Sequence, residues 1–336
     1  MLVSLPDQIA QSQTHPFHFY AKDLSQRYGV AVREVPLSTV LSGKRYVARG
    51  ATTVAFQTEF DITNADLERL IVQLKNQHPG ARLVYLDWFA PTDLRLADRL
   101  NSSIDFYVKR HVFRDRARYG QPTLGDTNLT DHYMRRYNIP GEVKRFHVPS
   151  DFLNKLVVGP SFAMAPGFAS MFLGRPPAAG PRPIDVHARI AVRGTPWYEA
   201  MRREAQNALT CISDLSVATG DLIQRSAFIA EMRQSKLTFS PFGYGEVCWR
   251  DFEAAMTGSV LIKPDMSHIE TDPDIFRSNN TYVPLRWDLS DFEEQVRALL
   301  ADPHRRQTIA ARAFEVVRDY IKSDAFKNKM APLFNE

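Results

Sequence analysis

Short apolar runs alternate with amphipathic stretches along most of this chain. Thr53–Gln57 and Arg82–Leu86 read as buried strands. Between them Asn64 opens a helix whose Leu67, Leu70, Ile71 and Leu74 share one face, and His78-Pro79-Gly80 ends it. Phe17 to Tyr28 reads as a further helix, Val30–Val35 as a strand, 93–100 as a helix and Phe106–Val108 as a strand. The second half repeats the alternation: Ile184–Val192 and Asp214–Ala218 are expected strands, with helices starting near Trp197 and over 221–235. Leu237 and Phe239 then lead into Gly243-Tyr244-Gly245. Trp249, Phe252, Ala255 and Met256 recur at helical spacing until Gly258 stops them, and Ser259–Ile262 follows as a buried strand. Two helices fill most of Asp288–Tyr320. Strands and helices alternating at this length predict parallel, doubly wound α/β sheets.

Between the two halves, residues 114–183 are rich in turn residues and end in Arg175-Pro176-Pro177-Ala178-Ala179-Gly180-Pro181, a stiff extended connector. The 336 residues suit two domains, one over 1–180 and one from 181 onward. Hydrophobic residues at 44% and charged residues at 24% are those of a folded globular protein. A formal charge of +4 fits a protein that handles phosphorylated ligands and falls short of a nucleic-acid binder, so no nucleic-acid partner is expected. Short basic clusters such as Arg135-Arg136 and Arg202-Arg203 read as solvated faces. Cys211 and Cys248 are the only cysteines, too few for a disulfide framework or a zinc site. Cys248 reads as a small buried residue beside the glycine turn. The start carries no basic and apolar leader, and no apolar run approaches the ~18 residues of a membrane span, so a cytoplasmic protein with at most peripheral membrane contact is expected.

The chemistry is expected at strand ends. Leu237 to Pro264 forms a strand, glycine turn, helix and strand, a βαβ crossover whose mouth opens at the first strand's carboxyl end, where such folds bind ligands. Glu246, Arg250 and Glu253 sit there or on the first helical turns. Arg250 and Glu253 share a face: the guanidinium suits two phosphate oxygens, the carboxylate suits sugar or ribose hydroxyls, and the helix N-terminus favours an anion. The same spacing equally describes a surface i,i+3 ion pair. Arg193-Gly194, after the Ile184–Val192 strand, supplies a second candidate phosphate ligand, and Lys263 either adds charge at the same edge or lies in a surface loop. In the first half Asp87 and Asp93 follow the Arg82–Leu86 strand. Asp87, flanked by Trp88 and Phe89, is the leading candidate base, or else a loop carboxylate bonded to backbone amides; Asp93 and His111 are the alternatives. No Gly-x-Gly-x-x-Gly fingerprint is present, which argues against a dinucleotide.

Gly243-Tyr244-Gly245, Trp249, Arg250-x-x-Glu253-Ala254 and Gly258 before the apolar Ser259–Ile262 resemble the donor-binding signature of GT-B glycosyltransferases, in particular the exostosin-like branch and the C-terminal domain of group 1 transferases. The resemblance covers about residues 184–320. It implies two Rossmann-like domains facing a cleft, the first binding an acceptor and the second a nucleotide-sugar, with a last helix at 321–336 crossing back to the first domain. It further implies Arg193, Gly194, Gly243, Tyr244, Gly245, Glu246, Arg250, Glu253 and Lys263 as donor-binding residues. A carbohydrate or glycoconjugate acceptor is implied, in polysaccharide or glycoconjugate synthesis, with neither metal nor cofactor beyond the donor. Retaining members carry two glutamates with seven residues between them; here Gly245 stands eight positions before Glu253, which points to inversion. A nucleotide-sugar epimerase or hydrolase of this architecture, or a non-catalytic binding protein on the same scaffold, are the other readings.

Overall fold

The structure is a computed structural model that describes residues 1–43, 50–178, 180–220 and 223–334. Its first sheet is built from β1 (Leu2–Ser4), β2 (Glu34–Pro36), β3 (Thr53–Phe56), β4 (Arg82–Asp87), β5 (Phe106–Lys109) and β6 (Leu156–Val158). The spatial order is β2-β1-β3-β4-β5-β6, and every neighbouring pair is parallel. Helix Asn64–Gln77 behaves as its periodicity predicts. Thr63 caps it by accepting the Asp66 amide, and Leu67, Leu70, Ile71 and Leu74 are buried.

The second sheet contains β7 (Ile184–His187), β8 (Val217–Ala218), β9 (Ser235–Phe239), β10 (Val260–Pro264) and β11 (Val283–Leu285), in the order β8-β7-β9-β10-β11 and again all parallel. The chain leaves β7 in one direction to reach β8 and in the other to reach β9. The carboxyl ends of β7 and β9 therefore flank the topological switch point, where an open α/β sheet leaves a crevice for ligands.

Several elements differ from their expected bounds. The helix expected from Phe17 starts at Gln8, because the Asp7 carboxylate accepts the Ile9 and Ala10 amides, and it is split at Tyr20 into Gln8–Phe19 and Ala21–Tyr28. The strand expected at Ile184–Val192 stops at His187, and the helix expected at 221–235 runs over Arg225–Arg233, with Asp221 and Leu222 outside the described residues. The irregular stretch after 114 contains an amphipathic helix, Asn128–Arg136, closed by a Thr127/Thr130 capping box.

The halves are joined by more than the connector. His111–Phe113 of the first half pairs antiparallel with Ile269–Thr271 of the second, extended by bonds from the Arg114 amide to the His268 carbonyl and from the Ser161 amide to the Asp272 carbonyl, each 2.9 Å. Phe162 stacks on Trp249 at 4.7 Å, so the apolar core of the first half continues across the interface. Within helix Pro303–Lys322, Phe314 already packs against Phe172. Beyond it Phe326 stacks on Tyr20, and the Leu333 carbonyl accepts Thr53 Oγ1. Among the described residues no helix is long and apolar enough to cross a membrane.

Candidate functional site

Helix Trp249–Thr257 carries Arg250 back to the switch point. Its guanidinium donates to the Arg189 carbonyl beyond β7 (2.5 Å) and approaches the Phe239 carbonyl at the end of β9 (3.5 Å). It thus ties together the two strand ends that flank the crevice. Its Nε is buried without a hydrogen-bond partner. Burial lowers its pKa, and the neighbouring Arg202 lowers it further.

Arg202 is 7% exposed, lies over the Tyr198 ring at 4.8 Å, and also has a buried Nε without a partner. Arg250 is half-buried and Arg202 buried, and the two like charges oppose each other unless an anion lies between them. Among the described residues neither forms a carboxylate ion pair. Arg189, by contrast, is engaged bidentately by Glu231 at 2.7 and 2.8 Å. Arg202 was expected on a solvated face. Its position one residue after Met201, on the side of the helix that buries Trp197, Met201 and Ala205, was the signal that it is not.

Glu253 is buried and meets Arg225 at 2.9 Å; it does not pair with Arg250. Burial pushes its pKa up, against the pull of Arg225 and Arg250. His187, fully buried at the end of β7, stands edge-on to Phe228 at 4.7 Å, and burial and Arg250 push its pKa down to about 4.

The glycine turn is pressed against the first domain. A Cβ on Gly245 would fall 1.8 Å from the Ala90 carbonyl oxygen. Tyr244 is 44% exposed and stacks on Tyr198 at 4.4 Å, and its hydroxyl accepts the Thr195 amide. The Gly194 amide is donated to Glu199, so the loop amides expected to face an anion are already engaged; Arg193 is exposed on the same loop.

Glu246, expected among the donor ligands, instead locks the two domains together. It is fully buried, accepts Thr92 Oγ1 at 2.6 Å and Asn128 Nδ2 at 2.7 Å, and lies 3.5 Å from His268 and 3.8 Å from His111. Burial alone would raise its pKa, but His268, His111 and Thr92 hold it down at about 2. Lys263 is likewise internal. Fully buried, it is held by Asp251 at 3.2 Å, which also accepts Ser240 Oγ and the Cys248 amide.

The expected base does not reach the cleft. Asp87 is fully buried and its two oxygens accept the Phe89 amide, the Tyr107 hydroxyl at 2.6 Å and Lys109 Nζ at 2.7 Å, so it is sealed in the core away from any acceptor hydroxyl. Asp93 is engaged bidentately by Arg95 at 2.8 and 2.6 Å. His111 is buried, and burial with Lys109 and Arg110 beside it pushes its pKa down to about 3. Asp126 faces the cleft, whereas Asp93 and Asp131 line only the groove beside it. It lines a cavity of about 390 Å³ between the domains, walled by Phe60, Trp88, Phe89, Ala90, Pro91, Thr127, Thr195, Trp197 and Tyr244. It also lines an adjoining groove of about 750 Å³ running over Arg118, His132 and Trp287. Its Arg95 neighbour is 3.6 Å away. No motif marked it, because it follows Gly125 in an irregular loop.

Residues 182–325 match the glycosyl transferase-like family model, whereas no curated protein matches the chain in sequence. Among solved structures, an alpha-glucosyltransferase in complex with UDP superposes with a TM-score of 0.55 at 8% identity, covering 99% of this chain and 98% of that one. An alpha-glucosyltransferase in complex with UDP-glucose and DNA containing an abasic site gives 0.53 at 8% identity, over 100% and 98%. TarM gives 0.51 at 9%, over 86% of this chain and 56% of that one. At such identities the likeness is one of fold.

The expectation of no nucleic-acid partner does not stand. Alpha-glucosyltransferases of the same fold and extent are seen in complex with DNA, including DNA with an A:G mismatch. A modest net charge does not exclude such a partner, because phosphate contacts depend on local basic patches and not on the sum. Residues 182–325 thus match a glycosyl transferase-like family model, in a chain that shares its fold with solved glycosyltransferases of the GT-B type.

Proposed function

We propose that this protein transfers a sugar from a nucleotide-activated donor to an acceptor hydroxyl, by a single inverting displacement that needs no metal. The reading rests chiefly on Arg250 at the switch point and Arg202, whose charge opposes it: each has a buried Nε without a hydrogen-bond partner, and neither has a carboxylate partner among the described residues. A diphosphate supplies the anion that this pair lacks, and the same pair stabilises the charge that builds on the departing diphosphate. Arg193 closes over it from the exposed loop, and Glu253 accepts ribose hydroxyls.

Inversion is supported by the glycine turn. Gly245 occupies the position where retaining members carry a carboxylate, and the nearby Glu246 is turned into the domain junction, so no carboxylate of the turn faces the donor. UDP is the first nucleotide to test, because it is the one bound by the similar alpha-glucosyltransferases.

The test is a thermal-shift screen against nucleoside diphosphates and their sugars. Ligand at a hundred times its Kd adds ~2.7 kcal/mol of stability. We expect a shift for the parent and none for Arg250→Ala. An Arg250→Ala protein that binds nucleoside diphosphate as tightly as the parent overturns the assignment. Transfer insensitive to chelator, and a product whose anomeric configuration by NMR coupling is opposite to the donor's, are the expected outcomes for mechanism; retention sinks the inverting reading.

A further inference from the structure

The cavity between the domains has a lining that does not suit a polyhydroxylated ligand. Phe60 and Trp88 face it from the first domain, and Trp197 and Tyr244 from the second. Most polar atoms on these walls are already engaged. Trp88 Nε1 donates to the Thr58 carbonyl at 2.8 Å, the Tyr244 hydroxyl accepts the Thr195 amide at 3.1 Å, and Thr127 Oγ1 accepts the Thr130 amide at 3.0 Å to cap the following helix. The Asp126 carboxylate remains as the charged group on the wall, beside the Thr195 hydroxyl, which caps no amide.

A pyranose entering this cavity would bring several hydroxyls and find partners for few of them, and each buried hydroxyl without a partner is costly. A flat apolar ring packs against aromatic side chains of both halves and leaves a single hydroxyl to be satisfied. Phe60 and Tyr244, each 44% exposed, present apolar surface at the mouth of this cavity.

We infer that the acceptor of the transfer is a hydroxyl carried on or beside a planar aromatic ring, seated between Phe60/Trp88 and Trp197/Tyr244, with Asp126 as its proton acceptor. This rests on the transferase reading above and replaces the glycan acceptor that the family resemblance implies. In the step, the acceptor oxygen forms a bond to the donor's anomeric carbon as its proton passes to an Asp126 oxygen. The bond from that carbon to the diphosphate oxygen breaks, and its electron pair leaves with the nucleoside diphosphate held by Arg202 and Arg250. The ring can belong to a small arene alcohol or to a hydroxymethylated base unstacked from nucleic acid.

The experiment is calorimetric titration with three probes, 4-nitrobenzyl alcohol, a short DNA duplex carrying one hydroxymethyluracil, and methyl glucoside, each with and without UDP. It is followed by transfer assays with UDP-glucose. We expect at least one aromatic probe to bind ~10-fold or more tightly than methyl glucoside, the order expected for apolar packing plus stacking. Phe60→Ala, a change at an exposed site with little risk to folding, should weaken that binding several-fold. Asp126→Asn should leave probe and UDP binding within about two-fold while lowering transfer by ~10²–10⁴-fold. Preference for the arene alcohol over the duplex, or the reverse, identifies the source of the ring. Methyl glucoside binding as well as either aromatic probe overturns the inference, as does aromatic binding unaffected by Phe60→Ala. Loss of UDP binding alone, with the aromatic preference intact, counts against the transferase reading and leaves the ring site standing.

Discussion

A Cβ on Gly245 would lie 1.8 Å from the carbonyl oxygen of Ala90, so the glycine turn and the loop after β4 touch at a point where only glycine fits. The obstacle is backbone, which cannot swing away as a side chain would. Gly245→Ala must push the two loops apart. We expect it to cost ~1–3 kcal/mol and, because a displacement of about 1 Å at a reacting site is felt strongly, to lower kcat/KM by roughly 10²-fold. Gly243→Ala is the control, since its Cβ would meet Cys248 Sγ at 3.4 Å and nothing closer. Equal losses for the two variants would show that contact with Ala90 is not the cause.

Glu246 spans the same junction through Thr92 and Asn128. Glu246→Gln keeps the shape but presents an amide to donors that need an acceptor, so about 1–3 kcal/mol of stability should be lost. Affinity for nucleoside diphosphate should stay within a few-fold of the parent. A variant of unchanged melting temperature with much weaker nucleotide binding would return Glu246 to the donor site.

Removing Arg202 relieves a repulsion in the ligand-free protein. Arg202→Met keeps a flexible apolar chain beneath Tyr198, so we expect apo stability equal to or above that of the parent. The nucleotide-dependent stabilisation, ~2.7 kcal/mol at a hundred times the parent Kd, should largely vanish. Thermal unfolding with and without UDP reads both quantities. A drop in apo stability with the nucleotide shift retained would make Arg202 a packing residue.

The central unit was legible because its cues are local: Gly243 to Gly245 punctuate it, Trp249, Phe252 and Met256 repeat at helical spacing, and Gly258, with φ at +73°, ends the helix in the left-handed region. The pairing of His111–Phe113 with Ile269–Thr271 was not legible, since two three-residue strands far apart in sequence leave no periodicity to read. For the same reason the fate of Asp87 could not be foreseen. The sequence places it after a strand, but only the register of β4 against β5 sets Lys109 opposite it and seals the pair. The Arg202 guanidinium looked solvated beside Arg203 until helix phase separated them, Arg202 at 7% exposure and Arg203 on the exposed side.

Asp87→Asn therefore acts on folding. Lys109, 1% exposed at its side chain, would keep its charge in the core without a counter-ion. Breaking one partner of a buried pair costs ~3–5 kcal/mol. Chemical denaturation should show that loss, while turnover per folded molecule stays within a few-fold of the parent. A fall of ~10² or more in turnover with stability intact would restore Asp87 as the base.

The last expectation concerns pH. His111 and His187 are held neutral by burial, with pKa values pushed from 6.5 down to about 3 and about 4. Lys109, Arg110 and Glu246 surround the first, and Arg250, Arg189 and Glu231 the second. In the unfolded chain both return to about 6.5 and take up protons that the folded protein refuses, so stability should fall as pH drops below 6.5. Above that value neither histidine contributes a slope. Glu246, held near 2 against an ordinary 4.5, adds a further decline below 4.5. The slope between pH 6 and 5 should approach but not exceed ~1.4 kcal/mol per pH unit for each histidine. Urea unfolding of the ligand-free protein between pH 5 and 7.5 measures it. His187→Phe should lower the slope over pH 5–6 by up to ~1.4 kcal/mol per pH unit, leaving the share of His111 and of His78 and His132, whose pKa values burial also lowers. A midpoint that does not move between pH 7 and 5 would mean that these imidazoles gain protons in the folded state as readily as in the unfolded one.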